Sequence, residues 1–368
     1  MPILHRIPVR LRPRPYEILI GRNFLDRLGP LVRRLRLGTH PVLLTNPTLL
    51  RGHARAVLNT LLENGFPTRI LMAADTERSK SMPSLTRVLT QLADLDGPGR
   101  SLFLVLVGGG VVGDLGGLAA GLYRRGIPYV HVPTTLLAQV DSSIGGKTGV
   151  DLPHGKNLVG LFNQPHLVFI EMGFLRTLPD RQLRSGLAEV IKCGIIRDPE
   201  LFSFLERASA SHPHRLESSL AWVVARSVRV KVAAVETDER ETQGVRTLLN
   251  FGHTFGHALE AATGYTAYAH GEAVALGMTV AARISCRLGR IPPPAVERIE
   301  NLIRRLGLPT TLRTVRYSRL LRAMSHDKKW KTGRNLWVLP TRIGHAALHK
   351  DVPHQTVWSV IQSIVEPK

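Results

Sequence analysis

The first half of the chain alternates short apolar runs with longer segments in which apolar residues recur every three or four positions. PVLLTN, TRILMAA, SLFLVLVGGG, IPYVHVPTT and HLVFIE have the length and the aliphatic content of buried strands. Between the earlier runs, Leu49 to Asn64 and Ser84 to Leu95 carry helical periodicity. Apolar strands separated by helices predict a mostly parallel sheet, and ligands of such sheets sit at the carboxyl ends of the strands. The early segment VRLRPRP reads as a charged edge strand that discourages pairing with another sheet.

After Leu178-Pro179 the pattern changes. Arg181 to Ile196, Pro199 to Ala210, Leu216 to Glu236, Thr247 to Ala262, Gly271 to Leu288 and Pro294 to Leu306 all repeat at helical spacing. The expected architecture is an α/β N-terminal domain with a mostly parallel sheet, residues 1–177, and a mainly α-helical C-terminal domain, residues 178–368.

Composition adds partners rather than fold. With 368 residues, 43% of them apolar, the chain is long enough to bury two cores. Lys plus Arg number 49 against 28 Asp plus Glu, and the resulting +21 favours anionic partners: phosphorylated metabolites, nucleotides or nucleic acid. Arginines such as Arg33, Arg34, Arg36, Arg304, Arg305 and Arg322 are dispersed and no nucleic-acid motif appears, so a solvated basic surface is expected and no nucleic-acid partner. Cys193 and Cys286, the only cysteines, exclude a disulfide scaffold and fit a reducing compartment. Arg and Pro interrupt the start, and the most apolar stretch, Leu102 to Leu122, contains Asp114 among glycines. A cytoplasmic protein without membrane attachment is expected.

Three segments could carry chemistry. In LFLVLVGGGVVGD, Gly108, Gly110 and Gly113 fall in a GxGxxG register after a strand and before a small-residue helix, Leu115 to Tyr123. Glycines there let backbone amides approach a pyrophosphate at a helix N-terminus. No Asp or Glu lies between Asp114 and Asp141 to take a ribose, so a tight structural turn stays the alternative. Next, VPTTLLAQVDSSIGGKTGVDLPHGKNLVG packs Thr134, Thr135, Asp141, Lys147, Lys156 and Asn157 together; GGKT lacks the earlier glycine of a P-loop, because position 141 is Asp. Finally, LNFGHTFGHALE places His253 and His257 on one helix face, and His270 begins the next helix. HExxH is absent. Glu189, in the apolar helical run RSGLAEVIKCGII, is a candidate further ligand, with Lys192 one turn on as its ordinary ion-pair partner. A His/His/Glu set leaves one tetrahedral position open, as catalytic zinc requires; the residues alone leave the choice of histidines open.

Taken in order, GGGVVGD, RRGIPYVHVPTTLLAQVDSSIGGKTGVDLPHGKN, SGLAEVIK, the DERE segment with RTLLNFGHTFGHALE, HGEAVALGM and HDKK resemble the 3-dehydroquinate synthase family of sugar-phosphate cyclases, from about Asp75 to Lys329. The resemblance implies an NAD-binding α/β domain, a metal- and substrate-binding helical domain, tightly bound NAD, Zn2+ and a cytoplasmic homodimer; such a donor set also accepts Co2+. It makes Glu189, His253 and His270 the metal ligands and leaves His257 to handle protons. It implies NAD contacts from Asp75, Glu77 and Lys80, from Gly108, Gly109, Gly110, Val111, Val112, Gly113 and Asp114, from Thr134, Thr135 and Leu137, from Asp141, Lys147 and Lys156, and from Phe174 and Thr177. The phosphorylated sugar substrate would meet Asp141, Lys147, Asn157, Lys192, Lys231, Arg246, Asn250, His257 and Lys328, and Arg125 would reach the phosphate across the dimer.

The implied activity is a lyase reaction of the shikimate pathway. 3-Deoxy-D-arabino-heptulosonate 7-phosphate becomes 3-dehydroquinate plus phosphate by transient oxidation with NAD, β-elimination, re-reduction and intramolecular aldol closure. Another sugar-phosphate cyclase or a metal-dependent polyol dehydrogenase would share the metal and NAD sites, but the set Asn157, Lys192, Arg246, Asn250 and Lys328 matches the family. DTERSK in place of DGEQ-K, GGL in place of GGF and one residue inserted before Gly244 depart from its pattern without touching an implied metal ligand.

Overall fold

A computed structural model describes residues 3–366 except 75, 212, 314–316 and 326–334. The chain divides between Leu178 and Pro179 into two compact units.

The first unit runs β1 (Ile3–Val9), β2 (Tyr16–Gly21), α1 (Leu28–Leu35), β3 (His40–Thr45), α2 (Pro47–Leu50), α3 (His53–Glu63), β4 (Arg69–Met72), α4 (Met82–Leu95), β5 (Leu102–Gly108), α5 (Gly110–Leu122), β6 (Tyr129–Pro133), β7 (Lys147–Leu152), β8 (Gly155–Phe162) and β9 (Leu167–Glu171). One sheet has the order β1-β2-β9-β6-β5-β3-β4, antiparallel only between β1 and β2. The expected mostly parallel sheet is therefore present.

β5 is buried from end to end, which explains its unbroken apolar run. Its Phe103, Val105 and Val107 join Leu28, Val32, Val57 and Leu61 of α1 and α3 in one core, whereas Leu104 and Leu106 join Val88, Leu92, Leu115 and Leu118 of α4 and α5 in another. Period-two alternation thus feeds two helical layers. From β3 the chain steps outward to β4, then returns to the other side of β3 as β5. The strand order reverses between β3 and β5, the place where sheets of this kind open a crevice at their carboxyl ends. α5 lies close to its neighbours because it lacks side chains where they press: a Cβ on Gly116 would come 2.3 Å from Leu106 Cδ2, and one on Gly117 2.4 Å from Thr148 Cγ2.

Some expected elements differ. The edge strand expected in VRLRPRP occupies Ile3–Val9 instead, since Pro13 and Pro15 supply no amide donors for a ladder. The segment from Lys147 to Phe162 forms an antiparallel hairpin, β7 with β8, separate from the main sheet. Leu49 to Asn64 is two helices, broken at Arg51 and Gly52.

The second unit contains α6 (Asp180–Ile196), α7 (Pro199–Ser211), α8 (Pro213–Thr237), α9 (His253–Ala262), α10 (His270–Arg287), α11 (Pro293–Arg305), α12 (Tyr317–Ser325), a hairpin of β10 (Leu336–Arg342) with β11 (His345–Lys350), and a last helix, His354–Ser363. α10 is buried without interruption from Ala273 to Ala282. It is apolar all round because it is the axis of the unit. The helix expected over Thr247 to Ala262 is interrupted: Arg246–Asn250 forms a 3₁₀ turn, Gly252 takes φ +81°, and α9 starts afresh at His253. No helix among the described residues is long and apolar enough to cross a membrane.

Candidate active site

In the first unit, residues singled out from the sequence gather at the carboxyl ends of neighbouring parallel strands. β5 ends at Gly108, Gly109 caps α5, and Gly110 begins it. A Cβ on Gly108 would strike Val112 Cγ2 at 2.6 Å, so the turn is tight by necessity. No acidic side chain occupies the first turn of α5, whose free amides and dipole therefore suit an anion. Val111, Val112 and Gly113 continue the same helix.

Asp114, one turn further, accepts a 2.7 Å hydrogen bond from Lys80 Nζ. Lys80 is buried; burial lowers its pKa, but Asp114 and Glu77 outweigh that and hold it above the ordinary lysine value. Glu77 lies 3.6 Å from Lys80 Nζ and 3.3 Å from Lys156 Nζ, so Glu77, Lys80, Asp114 and Lys156 form one charge network. Thr134 and Thr135 follow β6, and Thr135 Oγ1 accepts from Ala138 N at 3.1 Å. Leu137 leads into Ala138–Ser142, a single π-helical turn that carries Asp141 and closes with Ser143 N donating to Ala138 O at 3.2 Å. Past β9, Thr177 Oγ1 lies 2.7 Å from His53 Nε2, and the Phe174 ring centroid lies 4.2 Å from that of the imidazole with the planes tilted by 31°.

Two residues at this rim escaped the sequence reading. Asn46 follows β3 and caps α2, accepting from Leu49 N at 3.0 Å. His53 ties α3 to the Phe174–Thr177 turn. Lys147 starts β7 and Asn157 sits in β8 at φ +53°; both are exposed. Arg125 is exposed in a turn at φ +63°. Asp75 and Lys328 lie outside the described residues.

In the second unit, Glu189, His253 and His270 converge. Glu189, on α6, is 1% exposed, and its Oε1 lies 3.5 Å from His253 Nε2 and 3.6 Å from His270 Nε2. The donor atoms all fall within 4.8 Å of one another. Two ligand atoms each about 2.1 Å from a tetrahedral ion lie about 3.4 Å apart, so the spacing suits a shared cation. Among the described residues none gives either Glu189 oxygen a well-directed hydrogen bond, although Lys192 Nζ makes an ion pair with Oε2. Burial works to raise the Glu189 carboxyl, but Lys192, His253 and His270 prevail and hold it well below the usual carboxylate range. Two imidazoles and an ionised, enclosed carboxylate fit a divalent ion with one position left open.

The outer nitrogens are held too. His253 Nδ1 lies 3.1 Å from the Phe251 carbonyl, and His270 Nδ1 lies 3.4 Å from Glu260 Oε2. Burial pushes His253 down to about 3 despite the Glu189 carboxylate, whereas His270, set between the Glu189 and Glu260 carboxylates, overcomes burial and is pushed up to about 10. Burial thus favours the neutral form of His253, and the two carboxylates favour the protonated form of His270 when no metal is bound.

Around this centre, His257 is exposed one turn along α9, with its ring centroid 5.2 Å from that of His253. Lys192 and Lys231 are buried. Asp238 accepts from Thr242 N, Gln243 N and Arg246 N, folding a loop in which buried Arg246 donates to Glu239 O at 2.5 Å and Asn250 donates to Glu241 Oε1 at 3.1 Å. Glu241 and Glu260 were not singled out from the sequence. A cavity of about 1090 Å³ in this unit is lined by Arg181, Tyr268, Glu272, Arg304, Arg313 and Arg319, not by the three donors. Glu272 links the two places: it is held by Arg181 at 2.7 Å and accepts from Ala269 N at 2.8 Å, capping the helix that His270 begins.

An α/β unit with a mostly parallel sheet followed by a helical unit is the architecture of the sugar-phosphate cyclases. Among solved structures, the fold is similar to 2-epi-5-epi-valiolone synthase from Streptomyces hygroscopicus subsp. jinggangensis with NAD+ and Zn2+ bound (28% identity, TM-score 0.86, covering 96% of this chain and 98% of that one). It is also similar to 2-deoxy-scyllo-inosose synthase complexed with carbaglucose-6-phosphate, NAD+ and Co2+ (26%, TM-score 0.83, 98% and 100%).

The chain belongs to the 3-dehydroquinate synthase family. The family's N-terminal model matches residues 70–185 and its C-terminal model residues 186–330. It is 42% identical to the 3-dehydroquinate synthase of Synechococcus sp. over 98% of this chain and 99% of that protein, and 42% identical to that of Nostoc punctiforme over 97% and 99%.

Proposed function

We propose that this chain converts 3-deoxy-D-arabino-heptulosonate 7-phosphate to 3-dehydroquinate and phosphate, with NAD and a divalent metal, zinc or cobalt, as cofactors. The observation that carries the reading is the enclosed Glu189 carboxylate facing His253 and His270, in a chain that matches the family over nearly its whole length. Residues 1–177 serve as the NAD-binding domain and residues 178–368 as the metal- and substrate-binding domain.

When bound, the metal supplies Lewis acidity at a substrate oxygen and NAD supplies a recyclable hydride acceptor. The protein's own groups do the rest. Glu189, His253 and His270 present one anionic and two neutral donors. Lys192, buried against Glu189, supplies a fixed cation beside the substrate's oxygens. Arg246 and Asn250, positioned by the Asp238 loop, bind carboxylate and hydroxyl groups; guanidinium suits the bidentate partner. His257, exposed beside the metal donors, moves protons. Lys231 and, outside the described residues, Lys328 add positive charge for the anionic substrate. In the first unit, amides from Gly108 to Gly113 hold the pyrophosphate, Glu77, Lys80, Asp114 and Lys156 surround the dinucleotide, and Asp141, Lys147 and Asn157 recognise substrate.

A homodimer with Arg125 acting across it accords with the exposed side chains of Leu122, Leu158, Leu161 and Phe162 on α5 and β8. A cytoplasmic setting accords with the free cysteines Cys193 and Cys286.

The test mixes the protein with substrate, zinc and substoichiometric NAD while phosphate, dehydroquinate and NADH are followed together. Many turnovers of phosphate and dehydroquinate without net NADH, abolished by a chelator, are expected. Net accumulation of NADH would point to a polyol dehydrogenase, and no turnover with this substrate to another sugar-phosphate cyclase.

A further inference from the structure

We infer that Glu260 is a positioning residue for the metal centre: its carboxylate fixes the tautomer and orientation of His270, so that Nε2 faces Glu189 with a free lone pair when metal is bound. The inference rests on the assignment of Glu189, His253 and His270 as metal donors.

Glu260 stands seven residues after His253 on α9, two turns along the same face. It is 3% exposed, and a carboxylate so enclosed is costly unless it engages a cation or a donor. Its Oε2 lies 3.4 Å from His270 Nδ1, while Nε2 of the same ring lies 3.6 Å from Glu189 Oε1. His270 is thus suspended between two carboxylates, one from α6 and one from α9. A metal-binding imidazole keeps one N–H, and an ionised carboxylate only accepts. The N–H therefore belongs on Nδ1, toward Glu260, and the lone pair on Nε2. His253 reaches the same state by another route, with the Phe251 carbonyl 3.1 Å from its Nδ1. One ring is anchored by backbone, the other by a side chain that can be changed without touching a ligand.

The same atoms admit a competing arrangement. His257, Glu260 and His270 also bring donor atoms within 4.8 Å of one another and could hold a second cation. That cation would need His270 Nδ1, and a neutral imidazole cannot give a lone pair from both nitrogens. Glu260 therefore acts either as the proton acceptor of one centre or as a ligand of another, and stoichiometry separates the two roles.

The experiment titrates metal-free full-length protein with zinc against a chromophoric chelator, in the wild type, E260Q and E260D. The wild type binds one zinc per chain; E260Q keeps that stoichiometry with a dissociation constant raised roughly 10- to 100-fold, and E260D recovers part of the loss. Imidazole ¹⁵N spectra of the zinc-loaded wild type place a proton on His270 Nδ1, and E260Q perturbs that signal. Equal zinc affinity and an unchanged His270 spectrum in E260Q overturn the inference while leaving the donor assignment intact. Two zinc ions per wild-type chain falling to one in E260Q overturn it in favour of a ligand role. A wild type that binds no zinc overturns the inference and the donor assignment together.

Discussion

A Cβ on Gly277 would lie 1.8 Å from the carbonyl oxygen of Gly252, so α10 and the turn that starts α9 meet backbone to backbone. Gly252 precedes His253, and α10 begins at His270. The separation of the two histidines is thereby set by contact between main chains. G277A should force the helices apart at a cost of about 3 kcal/mol, lowering the thermal midpoint by roughly 6–12 °C. Calorimetry of the metal-free protein checks the midpoint, and zinc titration should show weaker binding in the fraction that folds.

The proton on His270 predicts a pH dependence of metal binding. In the metal-free protein the Glu189 and Glu260 carboxylates push this group from its ordinary 6.5 up to about 10, so at pH 7 to 8 zinc is expected to displace a proton. Calorimetric titrations in two buffers of different protonation enthalpy should report release of about one proton per zinc, and affinity should fall as the pH is lowered. The stability effect has the opposite sense. A raised pKa stabilises the metal-free fold fully below pH 6.5, and that stabilisation disappears as pH rises toward 10, by up to about 1.4 kcal/mol per pH unit. Denaturant midpoints across this window should fall for the metal-free protein and stay flatter for the zinc-loaded one.

Lys80 is the buried cation that keeps Asp114 and Glu77 compensated. K80M should remove the 2.7 Å cationic partner of Asp114 at the end of the sheet where NAD binding is proposed. The expected result is a 10- to 100-fold loss of NAD affinity, about 1.4–2.8 kcal/mol, with little change in zinc content. NADH fluorescence titration and metal analysis on one preparation measure both.

If Arg125 serves the partner subunit's site, two inactive proteins should repair each other. E189Q lacks the enclosed carboxylate and should lose zinc; R125A should keep zinc and NAD but lose turnover. Mixed dimers would contain one intact site, so random reassociation should restore roughly a quarter of wild-type activity. Failure to recover activity from well-mixed subunits would place Arg125 in its own subunit's site or outside the chemistry.

The parallel core was legible because β5 is apolar on both faces, the mark of a strand covered by helices on either side. The hairpins were not. β8, GKNLVGLF, is largely exposed and shows no alternation for a buried face to impose. The helix through Thr247 to Ala262 looked continuous because Leu248, Leu249 and Phe251 extend its apolar repeat; only the φ of Gly252 reveals the break. In the centre, Glu189 stood out as a carboxylate in an apolar helix, and histidines flanked by glycines drew attention. Glu260 did not, because HALEAA reads as an ordinary solvated helix end, and its burial depends on packing against a helix that starts ten residues later.

The π-helical turn at Ala138–Ser142 makes residue number as important as residue identity. Its wider loop, closed by Ser143 N on Ala138 O, holds one residue more than an ordinary helical turn would. Deleting any single residue there would tighten the turn and rotate the downstream chain by about 100° about the local axis. Asp141 would then face another direction although every neighbouring side chain had been kept. In this stretch a change of length is the harsher mutation.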